Sequence, residues 1–203
     1  TVFCGLFALS PQAFGQLQVK INAEDPKFDS LPSPDLGGNT GQKNFKPKDW
    51  LEVEVKVKLD ARNAPKDKHI DRLTVKWYVA IENKTGEKGA PKYLLMEKQI
   101  THVNVPIDED FYLSCYLSPA TLYRITGSSR AAKSSVTAVG GEITCDGAVK
   151  PARFSSRGDA SGNPWWNSAA MQRTTKFPLL SKRETPFHML WWDRYLEIQP
   201  ERQ

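Results

Sequence analysis

The residues that could do chemistry are few and scattered. Three histidines, His69, His102 and His188, stand too far apart to suggest a cluster, and none belongs to a His-x-x-x-His or Cys-x-x-Cys spacing that would hold zinc. No Gly-x-Ser-x-Gly turn marks a nucleophile, although serines are abundant. Asp108-Glu109-Asp110 carries oxygen ligands of the kind Ca²⁺ takes, but the Asp-x-Asp-x-Asp-Gly loop is absent, so we read a polar turn. These patterns predict no enzyme, no metal site and no cofactor.

Other residues point to contact rather than catalysis. Two tryptophan pairs, Trp165-Trp166 and Trp191-Trp192, each lie in a segment rich in turn-forming residues. Neighbours on an extended chain face opposite ways, so one ring of each pair can be buried while the other looks outward. An exposed ring stacks on sugars or anchors a protein partner. The alternative is that Trp191 and Trp192 seal the C-terminal segment against a sheet. Trp165-Trp166, in a polar loop, is the stronger contact candidate. Arg157-Gly158-Asp159 reads either as an adhesion tripeptide or as three loop-favoured residues that happen to be adjacent.

The elements that must position these residues are strands. Leu51, Val53, Val55, Val57 and Leu59 alternate with Glu52, Glu54, Lys56 and Lys58. Leu73, Val75, Trp77, Val79 and Ile81 alternate with Thr74, Lys76, Tyr78, Ala80 and Glu82. A period of two, with β-branched and aromatic residues on one side, predicts half-buried strands with one wetted face. Leu17–Ile21, Tyr93–Met96 with Gln99–Val105, Phe111–Leu117 and Val136–Cys145 read as further strands, the last bulged or bent at Gly140-Gly141. The 14 prolines and 13 glycines gather between these runs. Asp25 to Lys48 reads as a long loop or arm. Ser118-Pro119, closed by Gly127, predicts one short helix. Phe177 to Ile198 reads as an extended segment laid on the body, or as a helix capped by Thr185. The fold class is all-β, a β-sandwich.

Composition bounds the function. The chain has 203 residues, a net charge of +5 and 25% charged residues. The basic excess is spread along the chain, which argues against a nucleic-acid partner. Residues 1–15 resemble the end of a secretory signal peptide, with an apolar run from Val2 to Leu9 and small residues Ala13 and Gly15 before a cleavage point. A first strand of the domain is the alternative. Export to the periplasm, outer-membrane surface or extracellular space would leave two cysteines, Cys115 and Cys145, to form a disulfide or remain as buried thiols. The organisation expected is a signal remnant over 1–15, a sandwich over 16–150, and a loop and extended segment over 151–203.

Taken together, the β-rich body, the paired cysteines and the string Thr185-Pro-Phe-His-Met-Leu-Trp-Trp-Asp-Arg-Tyr195 resemble a family of small pilus-like proteins. Its members belong to type IV pilus-like gene clusters of Akkermansia and related Verrucomicrobia. The resemblance covers residues 16–203. It implies an immunoglobulin-like sandwich at the cell surface or in the periplasm, with a part in pilus assembly or adhesion, and brings no catalytic residues. The chain lacks the long apolar N-terminal helix of a pilin, so an accessory component is expected rather than a filament subunit. The expected partners are proteins of the pilus-like assembly or cell envelope, or a glycan, with the chain peripheral to the membrane at most.

Overall fold

A computed structural model describes residues 16–35, 46–84, 88–128, 133–158 and 160–200. The expectations for residues 1–15, and for Asp159 of the tripeptide, lie outside them.

Among the described residues, ten strands form two sheets. The first sheet pairs β3 (Asp49–Arg62) with β6 (Asp110–Leu117), and β6 with the short β10 (Leu180–Ser181). The other side of β3 carries β1 (Gln18–Ala23) and β2 (Lys27–Pro32) end to end. The second sheet runs β8 (Ala152–Ser155), β7 (Val136–Cys145), β4 (His69–Glu82), β5 (Tyr93–Pro106) and β9 (Met171–Arg173). All pairings are antiparallel except β5 with β9. The chain changes sheet between β3 and β4, between β5 and β6, and again between β6 and β7. Those crossings give the order of an immunoglobulin-like sandwich, with β3 and β6 adjacent in one sheet and β7, β4 and β5 in the other.

The two alternating rows explain why the sheets pack. Every apolar residue of the β3 row and of the β4 row is buried, and both rows belong to one core with Phe111, Leu113, Leu117 and Ile143. Trp77 fills the centre, edge-on to Phe154 at 5.1 Å between ring centroids. A buried tryptophan on this strand is a hallmark of the fold. The one α-helix among the described residues, α1 (Pro119–Thr126), is capped as its sequence demands: Thr121 N–H donates to Ser118 Oγ, and Gly127 closes it at φ 72°.

Four details differ from the sequence reading. First, β2 lies inside the stretch read as a loop; Pro26 interrupts one long edge strand, and the chain resumes pairing with β3 at Lys27. Second, Gly140 and Gly141 form no bulge, because β7 pairs through them with Tyr78 and Trp77 and the register slips instead beside Ala80 and Ile81. The glycines make room: a Cβ at Gly140 would stand 2.4 Å from Trp166 Cζ3, and one at Gly141 2.4 Å from Phe154 Cζ. Third, the wetted row of β4 is only half wet, since Tyr78 and Ala80 are buried on the outer face under Trp166. Fourth, Cys115 and Cys145 are free thiols. They stand in opposite sheets, Cys115 beside Val53 and Cys145 beside Leu73, at different levels of the sandwich. Burial raises both thiols, Cys145 to about 11 and Cys115 well above its ordinary value, so neither is a ready thiolate.

Residues after 150 supply β8, β9 and β10 and so take part in both sheets. No helix among the described residues is long and apolar enough to cross a membrane.

Candidate functional site

The C-terminal segment builds the molecule's most distinctive surface. After β10 it swings away from the sheet and returns to the β6 edge at Tyr195, which bridges to Tyr112. It then pairs with β5: Val103 N–H donates to the Glu197 carbonyl at 3.0 Å, and Gln199 N–H to the Thr101 carbonyl at 2.8 Å. The excursion between these anchor points lies on the outer face of the first sheet. No helix starts at Thr185; a 3₁₀ turn over Lys182–Glu184 precedes it, closed by a reciprocal cap between Ser181 and Glu184.

Polar pins hold the segment down. On β3 the outward row presents Glu52 and Glu54, opposite Tyr116 and Ser114 on β6. Tyr116 Oη donates to Glu52 Oε1 at 2.7 Å. Tyr195 Oη donates to Glu54 Oε2 at 2.7 Å, with Glu52 Oε1 3.2 Å away. Arg194 grips Glu54 with two nitrogens, at 2.7 and 3.2 Å, and lies over the Tyr112 ring at 3.6 Å. Lys182 is buried, donates to the Leu190 carbonyl, and sits over the Tyr195 ring. Burial raises the Glu52 carboxyl and lowers the Lys182 ammonium, with Glu52 pulling the ammonium back up. Two carboxylates side by side are tolerable here because two tyrosines and an arginine donate to them.

Aromatic packing completes the grip. Phe187 is buried between Tyr116, stacked at 5.5 Å, and Trp50, edge-on at 5.7 Å. Trp191 stacks on Phe187 at 6.4 Å and adopts the left-handed region at φ 51°. That turn sends the two adjacent rings in different directions: Trp191 lies back on Phe187, whereas Trp192 helps line a cavity of about 370 Å³ with Val103, His188, Met189 and Leu196. Met189, Trp191 and Trp192 are 65%, 48% and 61% exposed. Large apolar side chains rarely gather on a surface without a partner.

His102 sits beneath the returning strand, bridging to Ile198, and is buried. Neither ring nitrogen has a hydrogen-bond partner in the described structure. Burial lowers its pKa to about 4, and the adjoining backbone of Leu196 and Glu197 offsets only part of that. His69 and His188 are exposed, whereas His102 is buried. Among the described residues no His, Cys, Asp and Glu group could hold a metal ion.

The other sequence candidates fare differently. Trp166 is 1% exposed, stacked on Tyr78 at 4.8 Å with its plane 8° from parallel. Trp165 is partly buried and perpendicular to Trp166, and its Nε1 donates to Ser155 Oγ. That pair offers no flat exposed platform for a sugar. Arg157 and Gly158 lie on an exposed bend after β8. The cavity under Met189 and Trp192 had no signal in the sequence beyond the aromatic string, because it arises where the segment meets Val103 of β5.

Comparison with known proteins follows the same lines. A family model matches residues 12–202, and the chain belongs to that family, the pilus-like proteins of Akkermansia and related Verrucomicrobia. A crystal structure of a protein from Akkermansia muciniphila is similar throughout, with a TM-score of 0.81 and 34% sequence identity over 92% of this chain and 96% of that one. No curated protein matches significantly.

Proposed function

We propose that this chain is an exported, non-catalytic accessory protein of a type IV pilus-like system that works by gripping a protein partner with its C-terminal aromatic surface. The observation that carries the reading is the exposure of Met189 and Trp192 at an apolar cavity, with Trp191 exposed beside them, on a segment anchored at both ends. Rigid aromatic side chains beside a pocket suit a binding hot spot, since little side-chain entropy remains to be lost on docking. Membership in a pilus-associated family supports the setting. The oxygen and nitrogen groups beneath the segment are engaged with one another, which suits a structural role better than proton transfer.

The test is cross-linking in the envelope of cells that make the protein, followed by capture. Pilus-assembly proteins should be captured with the natural chain and lost with Trp192→Ala and Met189→Ala. Undiminished capture by the double variant would reject the aromatic surface as the contact. A glycan array run beside it should stay blank.

A further inference from the structure

The two sides of the sandwich treat their sheet edges in opposite ways. On one side, β10 and Tyr195 cover the edge of β6, while β9 and residues 197–199 cover the edge of β5. On the other side, β1 and β8 are the last strands of their sheets. There β1 is bonded to the second sheet at Val19, whose N–H donates to the Gly147 carbonyl at 2.8 Å and which bridges to Ala148. Beside this bond lies a groove of about 1020 Å³, walled by Ile21, Ala23, Arg62, Val149, Lys150 and Arg153.

The hydrogen-bond pattern fixes which backbone groups face this groove. Val19 N–H points away from β3, whereas Glu24 N–H donates to the Lys56 carbonyl of β3. Alternation along the strand therefore turns the N–H and C=O of Ile21 and Ala23 outward. Among the described residues no strand pairs with them. An unpaired edge of this kind is a template for strand addition, in which backbone bonds give affinity and alternate side chains give selectivity.

Charge and shape say what would fit. Lys20, Arg62, Lys150 and Arg153 line the groove with one acid, Asp60, which already accepts from Asn22 at 2.7 Å. Arg153 is held by Glu142 at 2.8 Å, leaving three cations with no ion-pair partner among the described residues. On the core side, Ile21 and Ala23 are partly buried apolar residues, and Val149 is 79% exposed. We propose that the β1 edge accepts an extended segment of another protein, with acidic residues at alternate positions beside Lys20, Arg62 and Lys150, and small apolar residues between them beside Ile21, Ala23 and Val149. This surface is separate from the aromatic one, and the proposal stands or falls independently of it.

The experiment titrates the full-length protein with a fluorescently labelled short peptide of alternating Val and Glu, and follows backbone amide exchange by NMR. The expected result is saturable binding, with slowed exchange at Ile21 and Ala23 only when peptide is present. Ile21→Pro removes one outward N–H while leaving the bonds to β3 intact, a position where an edge strand tolerates proline. It should weaken binding by about tenfold or more, the scale of losing a backbone bond and its neighbours. Lys20→Glu with Lys150→Glu should abolish binding of the Val-Glu peptide and confer binding of a Val-Lys peptide. Trp192→Ala should leave both unchanged. Absence of binding, or binding indifferent to Ile21→Pro and to the charge reversal, overturns the proposal. So does slow exchange at Ile21 and Ala23 in the free protein: if independent of concentration it assigns the edge to the chain's own residues, and if concentration-dependent to a second copy.

Discussion

The two tryptophan pairs look alike in sequence and do opposite work. Trp165-Trp166 closes a small second core on the outer face of one sheet, where Trp166 stacks on Tyr78 among Ala80, Leu95, Ala138 and Met171. Trp191-Trp192 lies on the outer face of the other sheet, above glutamates and tyrosines, and stays largely exposed. The difference is in what lies beneath. Under Trp166 the sheet offers alanines and a glycine, a notch deep enough for an indole. Beneath Trp191 the place is already taken: Phe187 fills the hollow between Tyr116 and Trp50, and Trp191 can only stack on its outer side. An adjacent pair of aromatic residues thus says little until the receiving face is known.

The largest effect that sharpens this contrast is on stability. Trp166→Ala should cost about 3–5 kcal/mol, as for a large aromatic removed from a core, while Trp192→Ala should stay within about 0.5 kcal/mol. Paired chemical denaturation of the two variants measures both. Equal losses would erase the distinction between packed and presented rings.

Next in size is the notch itself. Gly140→Ala would press a methyl against Trp166 Cζ3 at 2.4 Å and the Phe154 carbonyl at 3.0 Å. Neither neighbour is the free end of a flexible chain, so overpacking of about 1–3 kcal/mol is expected. Thermal unfolding should show the loss, and the double variant with Trp166→Ala should show less than the sum, since the clash vanishes with the ring.

The notch illustrates how far the sequence could be read. The strand rows of β3 and β4 were legible because burial on one face imposes a period of two, and both rows are buried as that period requires. The helix was legible because Ser118, Pro119 and Gly127 each answer a local backbone need. Gly140-Gly141 was not legible, since a glycine that accommodates a distant ring looks the same as one that bends its own strand. β2 was hidden for a related reason: Pro26 and Pro32 read as loop residues, although an edge strand tolerates both. The aromatic string flagged the candidate surface, but the cavity depends on Val103, which lies far upstream in the chain. The cysteine pair stayed open between a bridge and free thiols because counting thiols carries no information about which sheet each one joins.

The returning segment has a pH-sensitive footing that the Trp166 cluster lacks. His102 titrates near 6.5 when unfolded and near 4 when folded. The unfolded chain therefore binds more protons across that window, so stability is full above about pH 6.5 and falls as pH drops toward 4. Between pH 7 and pH 5 the loss from this group should be about 2 kcal/mol. Denaturant midpoints across that range should show the slope in the natural protein and a shallower one in His102→Leu, while Trp166→Ala keeps the natural slope. A natural protein whose stability is flat over this range would mean that the site under Ile198 opens readily to water.

The smallest effect distinguishes how each pair is held. Tyr195→Phe deletes one hydroxyl that donates to Glu54 and stands beside Glu52, and leaves the ring under Lys182 in place. A hydrogen bond to a carboxylate exchanged for water is worth about 1–2 kcal/mol, and most of the cost should fall locally because Arg194 still grips Glu54. The readout is accordingly local. The Val103 amide, bonded to the Glu197 carbonyl just past Tyr195, should exchange faster, while the Thr174 amide, bonded to Leu95 near the Trp166 cluster, should not change. If both amides speed up together, the two faces unfold as one unit and the aromatic segment is simply part of the body. If only Val103 responds, polar pins set the posture of Trp191 and Trp192, and the surface can be loosened without touching the core that carries it.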